Sequence, residues 1–559
     1  MNKLLDFSHL RGDIFGGITA GIVALPLALA FGVQSGMGAI AGLYGAIALG
    51  FFAALLGGTA TQISGPTGPM TVVSTMVISS AIEASGTIEN GLGLIIASFF
   101  IAGALQVVMG VIRIGQYVKY IPYPVLSGFM SGIGVIIILF QIYPFLGHES
   151  EKSTIDIALN IANPLSQINF IALGLGALTI VIIYLFPRLT KVVPSALVAL
   201  LIVTVLSVFF KLDIPRIGDI PEGLPKLYLG ELFAFETSQI GLILQFGGTL
   251  ALLGAIDSLL TSIVADNITK TQHNSNKELV GQGIGNMASA IIAGIPGAGA
   301  TMRTVVNVNS GGRTRLSGII HSVLLMIILL GAGKYAAEIP LSVLAGILIT
   351  VGIGIIDYKG LRDLKHVPRT DAVILIVVLL LTVFWNLLYA VGIGMIMATI
   401  SFMKKAADIS SDASEIAPLE KFVNQFPHEY GTEIEARYKD KVYIKDLYGA
   451  LFFGFASRFK EMVRELPEIE MVVIRMRRVP YLDQSGVYAL EEALEGLQSK
   501  GIKVAITGLQ EQPKGVLNKI KIVSEHTPGI MIFDTYSDFS KWLEENGEAL
   551  FGIPAAHEA

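Results

Sequence analysis

The sequence predicts an all-α polytopic membrane protein of about 14 helical segments, followed by a small α/β domain. Three observations carry that prediction. Of the 559 residues, 53% are hydrophobic and only 15% charged, where a soluble domain runs nearer one quarter charged, and mean hydropathy is +0.67. The apolar residues fill 14–403 in long blocks separated by short charged stretches. After residue 404 the composition turns to that of a soluble chain. The shift gives the domain plan: a membrane domain over 1–405, a linker over 406–437 and a soluble domain over 438–559.

A spanning helix needs roughly 20 apolar residues. Candidate segments lie at 14–34, 37–57, 66–84, 91–112, 122–146, 168–186, 193–210, 238–265, 279–295, 301–309, 315–333, 338–356, 371–386 and 388–403. The first has no small-residue cleavage pattern after it, so it reads as a span and not as a signal peptide. Cations orient the chain. With the N-terminus inside, the inner loops hold residues such as Arg11, Arg113, Arg188, Lys270, Lys277, Arg313, Arg315, Lys359, Arg362, Lys365, Arg369, Lys404 and Lys405. The outer loops hold few, among them Lys211, Arg216 and Lys226. An even number of spans then leaves the soluble domain in the cytoplasm.

The two halves match each other. Gly65-Pro-Thr-Gly-Pro-Met-Thr-Val-Val73 resembles Gly297-Ala-Gly-Ala-Thr-Met-Arg-Thr-Val-Val306, and each opens a short apolar segment. With seven segments per half, the second copy is inverted relative to the first. Paired, Gly/Pro-interrupted short segments in two halves point to a transport site. Pro66 and Pro69 lack backbone donors, and Gly65 and Gly68 let the chain bend. Helices starting near Pro69 and Ala300 would expose N–H groups at mid-membrane depth, where unpaired donors are costly. Each start also presents roughly half a positive charge. A small anion answers both demands. Thr67, Thr71, Thr301 and Thr304 add hydroxyls, and Arg303 adds a full charge. The bland reading is close packing, since Gly, Pro and Thr are common in membrane helices. A match in both halves favours the site.

Asp257 and Thr261, four apart on one helix face, lie mid-span, where a carboxylate is a functional hypothesis by default. With carbonyls near Gly299 they can form an oxygen cage for Na⁺. The alternatives are an ion pair between Asp257 and Arg303, or a carboxyl that carries a proton. The first-half counterpart, Ala24–Ala30, puts Pro26 where Asp257 stands and reads as an apolar wall. Phe31 packs either over a bound ion or simply into the core.

Several classes are excluded. The chain has no cysteine, so disulfides and thiolate chemistry are out. Its 8 histidines have no paired metal-ligand spacing, and there is no nucleophile–base set, so no enzyme and no resident cofactor is expected. A net charge of −5 does not suggest nucleic acid.

In the soluble tail, 441–447, 469–476, 502–507 and 530–533 read as strands, and 485–498, 515–522 and 535–545 as helices. Asp483-Gln-Ser-Gly486 forms a strand-to-helix turn. Asp483 or Ser485 caps the helix, and the turn also presents Ser485 as a regulatory phosphorylation site.

Four stretches carry a family likeness: Arg11-Gly-Asp-Ile-Phe-Gly-Gly-Ile-Thr-Ala-Gly21, Leu25-Pro-Leu-Ala-Leu-Ala-Phe-Gly32, Ser64-Gly-Pro-Thr-Gly-Pro-Met70 and Asn276-Lys-Glu-Leu-Val-Gly-Gln-Gly-Ile-Gly-Asn286. They resemble the SulP anion transporters, solute carrier family 26 in animals, and the likeness runs over nearly the whole chain into a STAS domain. It implies two inverted seven-segment repeats, core and gate domains, an elevator motion, and a homodimer joined in part through STAS. It also implies a bacterial cytoplasmic membrane location with both termini inside. Gly57-Gly-Thr59, Pro66–Val73, Ile256-Asp257, Leu259–Ser262 and Gly297–Met302 are most similar to the cyanobacterial branch that takes up bicarbonate with Na⁺. By that resemblance the anion contacts Thr67, Ala300 and Thr301, and Na⁺ sits on Asp257, Thr261, Gly299 and Thr301; Gly68, Arg303 and Phe31 are further candidate anion contacts. Two positions depart from the branch, which has an acidic residue in place of Gly65 and a small one in place of Arg303. A basic residue near 303 is common among members that carry sulfate, chloride or dicarboxylates. Sulfate or dicarboxylate transport, H⁺-coupled or by exchange, is therefore the alternative, ahead of an anion channel.

Overall fold

A computed structural model of the chain describes residues 6–151, 153–190, 193–218, 225–385, 387–412, 416–425, 437–438, 440–452, 469–520 and 529–552. The chain divides into two compact units, Met1–Ala398 and Thr399–Ala559.

The first half of unit one supplies α1 (Leu10–Ser35), α2 (Ala39–Leu56), α3 (Gly68–Ser85), α4 (Ile88–Val111), α5 (Tyr123–Phe145), α6 (Phe170–Leu185) and α7 (Ser195–Phe209). The second half supplies α8 (Ile240–Thr269), α9 (Ser275–Ile291), α10 (Thr301–Asn309), α11 (Arg315–Ala336), α12 (Leu341–Ile355), α13 (Arg369–Phe384) and α14 (Leu387–Asp412). Every expected segment is a helix, with ends shifted by a few residues. Among the described residues, seven helices are long and apolar enough to cross a bilayer alone, or eight if the α12 stretch and the bent segment after it form one span. Of the helices outside that group, α3 and α10 are the two that follow the matched Gly/Pro-interrupted stretches.

The helices sort into two bundles. In one, α9 packs on α4 and α2, α8 on α4, and α1 on α11 and α2. In the other, α5 packs on α12 and α13, α12 on α6, and α6 on α7. Each bundle therefore takes the same positions from both halves: the first four helices of each, or the last three. Glycine permits the tightest crossings. A Cβ on Gly103 of α4 would sit 2.5 Å from Gly283 O of α9, and one on Gly283 would sit 2.4 Å from Gly103 O. Membrane helices pack through such small-residue contacts because lipid supplies no hydrophobic drive between them. Chain ends are set locally. Gly36, at φ 90, closes α1 with its N–H on Val33 O, and Asn274 caps α9 by accepting from Lys277 N at 3.0 Å.

Unit two is a five-stranded sheet in sequence order: β3 (Ile416–Pro418), β4 (Val442–Tyr448), β5 (Met471–Arg478), β6 (Lys503–Thr507) and β7 (Ile530–Phe533). For continuity, β1 (Ser64–Gly65) and β2 (Ala298–Gly299) lie in unit one. β4 to β7 run parallel and β3 pairs antiparallel with β4. Among the described residues unit two also holds helices α15 (Leu419–Gln425), α16 (Gln484–Ser499), α17 (Glu511–Ile520) and α18 (Tyr536–Phe551). Side chains alternate along β5: Val472, Ile474 and Met476 join the α16 and α17 residues, while Met471 and Val473 meet Phe539 and Leu543 of α18. Asp483 caps α16, accepting from Gly486 N at 2.7 Å.

The stretch read as a linker, 406–437, is more structured than expected. No Gly or Pro interrupts Lys404–Asp412, so α14 runs on to Asp412, and β3 then adds an edge to the sheet. Residues 413–415 and 426–436 lie outside the described set, as do the last two of the expected 515–522 helix, which starts earlier, at Glu511.

Candidate anion site

Two short strands build the site. β1 and β2 pair antiparallel, Ser64 opposite Gly299 and Gly65 opposite Ala298. The approach is so close that a Cβ on Gly297 would lie 2.1 Å from Gly65 O. Ala300 N donates to Ile63 O at 2.8 Å and Ile63 N donates to Thr304 Oγ1 at 3.0 Å, which extends the pairing. α3 and α10 begin just past the two strands. Because the strands are antiparallel, the helices leave in opposite directions, and the hydrogen bond from Arg303 Nη2 to Pro66 O ties the first turn of α10 to the residues just before α3.

Neither start is closed by a side chain: the N-cap residues Thr67 and Ala300 make no capping hydrogen bond. First-turn N–H groups have no acceptor inside their own helix. Pro69 has no N–H, which leaves Gly68 and Met70 on α3 and Thr301, Met302 and Arg303 on α10. These donors and the two aligned dipoles suit an anion.

The threonines divide. Thr67 is 8% exposed, and its Oγ1 has no hydrogen-bond partner. Thr71, expected as a ligand donor, instead donates back to Thr67 O at 2.8 Å. Thr304 is also engaged, accepting from Ile63 N. Thr301 Oγ1 lies 2.7 Å from Thr261 Oγ1. Gly68 is buried against α5, where a Cβ would meet Ile137 Cδ1 at 2.5 Å. Phe31 is 2% exposed, in one apolar cluster with Met70 and Val73.

α8 passes beside β2 and holds it. Ser258 Oγ accepts from Gly299 N at 3.0 Å, and Thr261 Oγ1 is 2.9 Å from Gly299 O. Three of the four positions expected to hold a cation, Thr261, Gly299 and Thr301, are thus in hydrogen-bond contact. The fourth, Asp257, stands one helical turn away on the same face. It lies close to Thr67 and within Coulombic reach of Arg303. Asp257 Oδ2 is buried without a hydrogen-bond partner.

Arg303 is 2% exposed. Its Nη2 donates to Pro66 O, and its Nη1 has no partner. Among the described residues no hydrogen bond or ion pair joins it directly to Asp257, although the two charges act on each other. Its guanidinium lies over Gly65 instead: a Cβ there would be 2.6 Å from Nη1. Thr67, Asp257 and Arg303 thus each turn a buried, unpartnered polar atom toward one locality, and buried polar groups normally find partners.

Two features escaped sequence reasoning. Ser258 holds β2 from the position next to Asp257. His321 of α11 is 0% exposed with Nε2 unpartnered, within Coulombic reach of Arg303. An ionisable residue inside an apolar segment was the available signal for His321.

The model of the sulfate permease family matches residues 10–378. The chain belongs to the sulfate permease family. A STAS domain model matches residues 433–538. This permease is 44% identical over 530 residues to the bicarbonate transporter BicA of Synechocystis sp., covering 93% of this chain and 92% of BicA. It is 32% identical over 529 residues to the putative sulfate transporter YvdB of Bacillus subtilis, covering 92% of this chain and 95% of that one. The solved transmembrane domain of a cyanobacterial BicA matches with a TM-score of 0.65 at 46% identity, over 69% of this chain and 98% of that one. Murine Solute Carrier 26 family member A9 shares the fold, with a TM-score of 0.81 at 16% identity over 97% of this chain and 92% of that one. The permease is thus a multi-pass anion transporter with a C-terminal STAS domain, and these relatives are transporters, not enzymes.

Proposed function

We propose that this permease takes up bicarbonate together with Na⁺, holding the anion between the starts of α3 and α10. The observation that carries the reading is the juxtaposition of two uncapped helix starts with the Asp257–Thr261 face of α8. The starts supply donors for a small anion at Gly68, Met70, Thr301 and Met302, with the Thr67 hydroxyl beside them. Asp257, Thr261, Gly299 and Thr301 supply the oxygens that a hard cation prefers. The likeness to BicA supports bicarbonate as cargo. The two-bundle division supports an elevator motion in which the bundle holding the site slides against the other. A homodimer joined through STAS domains, a bacterial cytoplasmic membrane location, cytoplasmic termini and regulation at Ser485 complete the proposal.

Arg303 favours a second reading. A fixed cation near Asp257 opposes Na⁺ by repulsion and adds charge for a dianion. That combination suits sulfate or a dicarboxylate, driven by H⁺ or by exchange.

Labelled uptake into proteoliposomes separates the two. The first reading expects bicarbonate accumulation that falls at least about tenfold when external Na⁺ is replaced, a difference of about 1.4 kcal/mol. Bicarbonate uptake indifferent to Na⁺ overturns the coupling. Sulfate that outcompetes bicarbonate overturns the substrate.

A further inference from the structure

The stretch Asn276–Asn286 is a long motif that includes none of the candidate anion or cation residues, yet it contains a chain of buried polar groups. Glu278, Gln282 and Asn286 fall four apart along α9, so they share one face. They are 1%, 0% and 0% exposed. Glu278 Oε2 accepts from Gly58 N and Thr59 N, both at 2.8 Å. Its Oε1 accepts from Gln62 Nε2 at 2.9 Å and Gln282 Nε2 at 2.8 Å. Gln282 Nε2 also donates to Ser64 Oγ of β1 at 2.6 Å. One turn on, Asn286 grips Gly297 in both directions: Nδ2 donates to Gly297 O at 3.1 Å, and Gly297 N donates to Oδ1 at 2.9 Å. Asn286 Nδ2 also donates to Gln106 Oε1 of α4 at 2.8 Å.

The chain leading into α3 and the chain leading into α10 are therefore both fixed to one helix. All four donors to Glu278 are neutral amides. A buried carboxylate held by neutral donors is costly to desolvate, and an apolar face would pack α9 more cheaply. What the polar face adds is direction: each bond fixes where a strand lies along α9. The equivalent helix of the first half does not work this way. α2 meets the chain before β2 through backbone, Ile295 N donating to Ala41 O at 3.0 Å, with Gly45 so close that a Cβ would be 2.3 Å from Ile295 O.

We propose that Glu278, Gln282 and Asn286 are positioning residues that set the spacing of the two helix starts and so decide which anion fits between them. The proposal rests on the reading that the anion binds at those starts. Binding groups must be held within about 0.5 Å to discriminate, and two strands fixed to adjacent turns of a single helix meet that need.

The test is uptake kinetics of the full-length protein in proteoliposomes for Asn286→Asp, Glu278→Gln and the milder Ser64→Ala, with bicarbonate and sulfate as probes. Asn286→Asp keeps the shape but turns an oxygen toward Gly297 O. Glu278→Gln turns an NH₂ toward neutral donors. Ser64→Ala removes only the Gln282 hold on β1. Positioning predicts a KM for bicarbonate raised about tenfold in the first two, a smaller rise for Ser64→Ala, and a changed bicarbonate-to-sulfate preference. A merely structural role lowers melting temperature and yield, leaving KM and preference at wild-type values, and that result overturns the proposal. If the first two variants do not fold, Ser64→Ala decides by the same criterion. Wild-type vesicles that accumulate neither anion overturn the function and, with it, the positioning role. Wild-type uptake with unaltered KM in the variants overturns positioning alone.

Discussion

α3 and α10 begin alike and continue differently. Both follow a two-residue strand, both lack a side-chain cap, and the bond from Arg303 to Pro66 O ties the first turn of one to the entry of the other. α3 then runs for 18 residues with no charge in its first turn, whereas α10 runs for 9 and carries Arg303. The helices alongside differ in the same sense. α1 offers Pro26 where α8 offers Asp257, and α8 holds β2 through Ser258 and Thr261. Under the proposed function, backbone shared by both halves would select the sign and size of the cargo, and side chains confined to the second half would supply the charges on which coupling and substrate choice depend.

The largest expected effect tests that division. Asp257→Asn removes the second-half carboxylate while keeping its shape. Coupled uptake should fall at least about a hundredfold with the thermal melt of the purified protein unchanged. Wild-type uptake by this variant would make Asp257 a packing residue and erase the difference between the halves.

Next comes the contact between Gly65 and Arg303. Arg303→Gly removes the guanidinium's bond to Pro66 O and should cost about 1.5–3 kcal/mol, read as a lower melting temperature, while sharpening any Na⁺ dependence of uptake. Gly65→Ala in the wild type overpacks the guanidinium and should cost about 1–3 kcal/mol. Combined, the two should be less than additive by about 1 kcal/mol or more. Strict additivity would mean that the two sites do not share space.

A finer comparison concerns hydroxyls. Thr301→Val removes a bond to Thr261 and should cost about 1 kcal/mol of stability. Thr67→Val removes a hydroxyl that faces Asp257 without a well-formed hydrogen bond, so the melting shift should be smaller than for Thr301→Val while KM for the anion rises. Equal melting shifts in the two would contradict the division between a tied hydroxyl and a free one. The smallest effect lies outside both halves: Asp483→Ala should loosen the first turn of α16 by about 1 kcal/mol, seen as faster hydrogen exchange there, with uptake unchanged.

Much of this was legible in sequence because it is local. Apolar blocks, several of them too short to span, marked α1 to α14, and the matched Gly/Pro stretches marked both broken starts. The spacing of Asp257 and Thr261 put them on one face. What was missed depends on distance or register. Glu278 meets Gly58 across 220 positions, a separation no periodicity encodes. Thr71 and Thr304 were expected to donate to a ligand, but whether a threonine bonds back to its own helix or to a facing strand depends on a rotamer that composition does not reveal. β3 hid in the presumed linker because three residues at a sheet edge carry no alternating pattern of their own.

The central claim is that the facing starts of α3 and α10 hold the anion. A cryo-EM comparison of the full-length protein with and without bicarbonate tests it most directly. The account predicts added density within hydrogen-bond distance of Gly68, Met70, Thr301 and Met302, beside Thr67. Density for the anion elsewhere, with the space between the two starts unchanged, would contradict it.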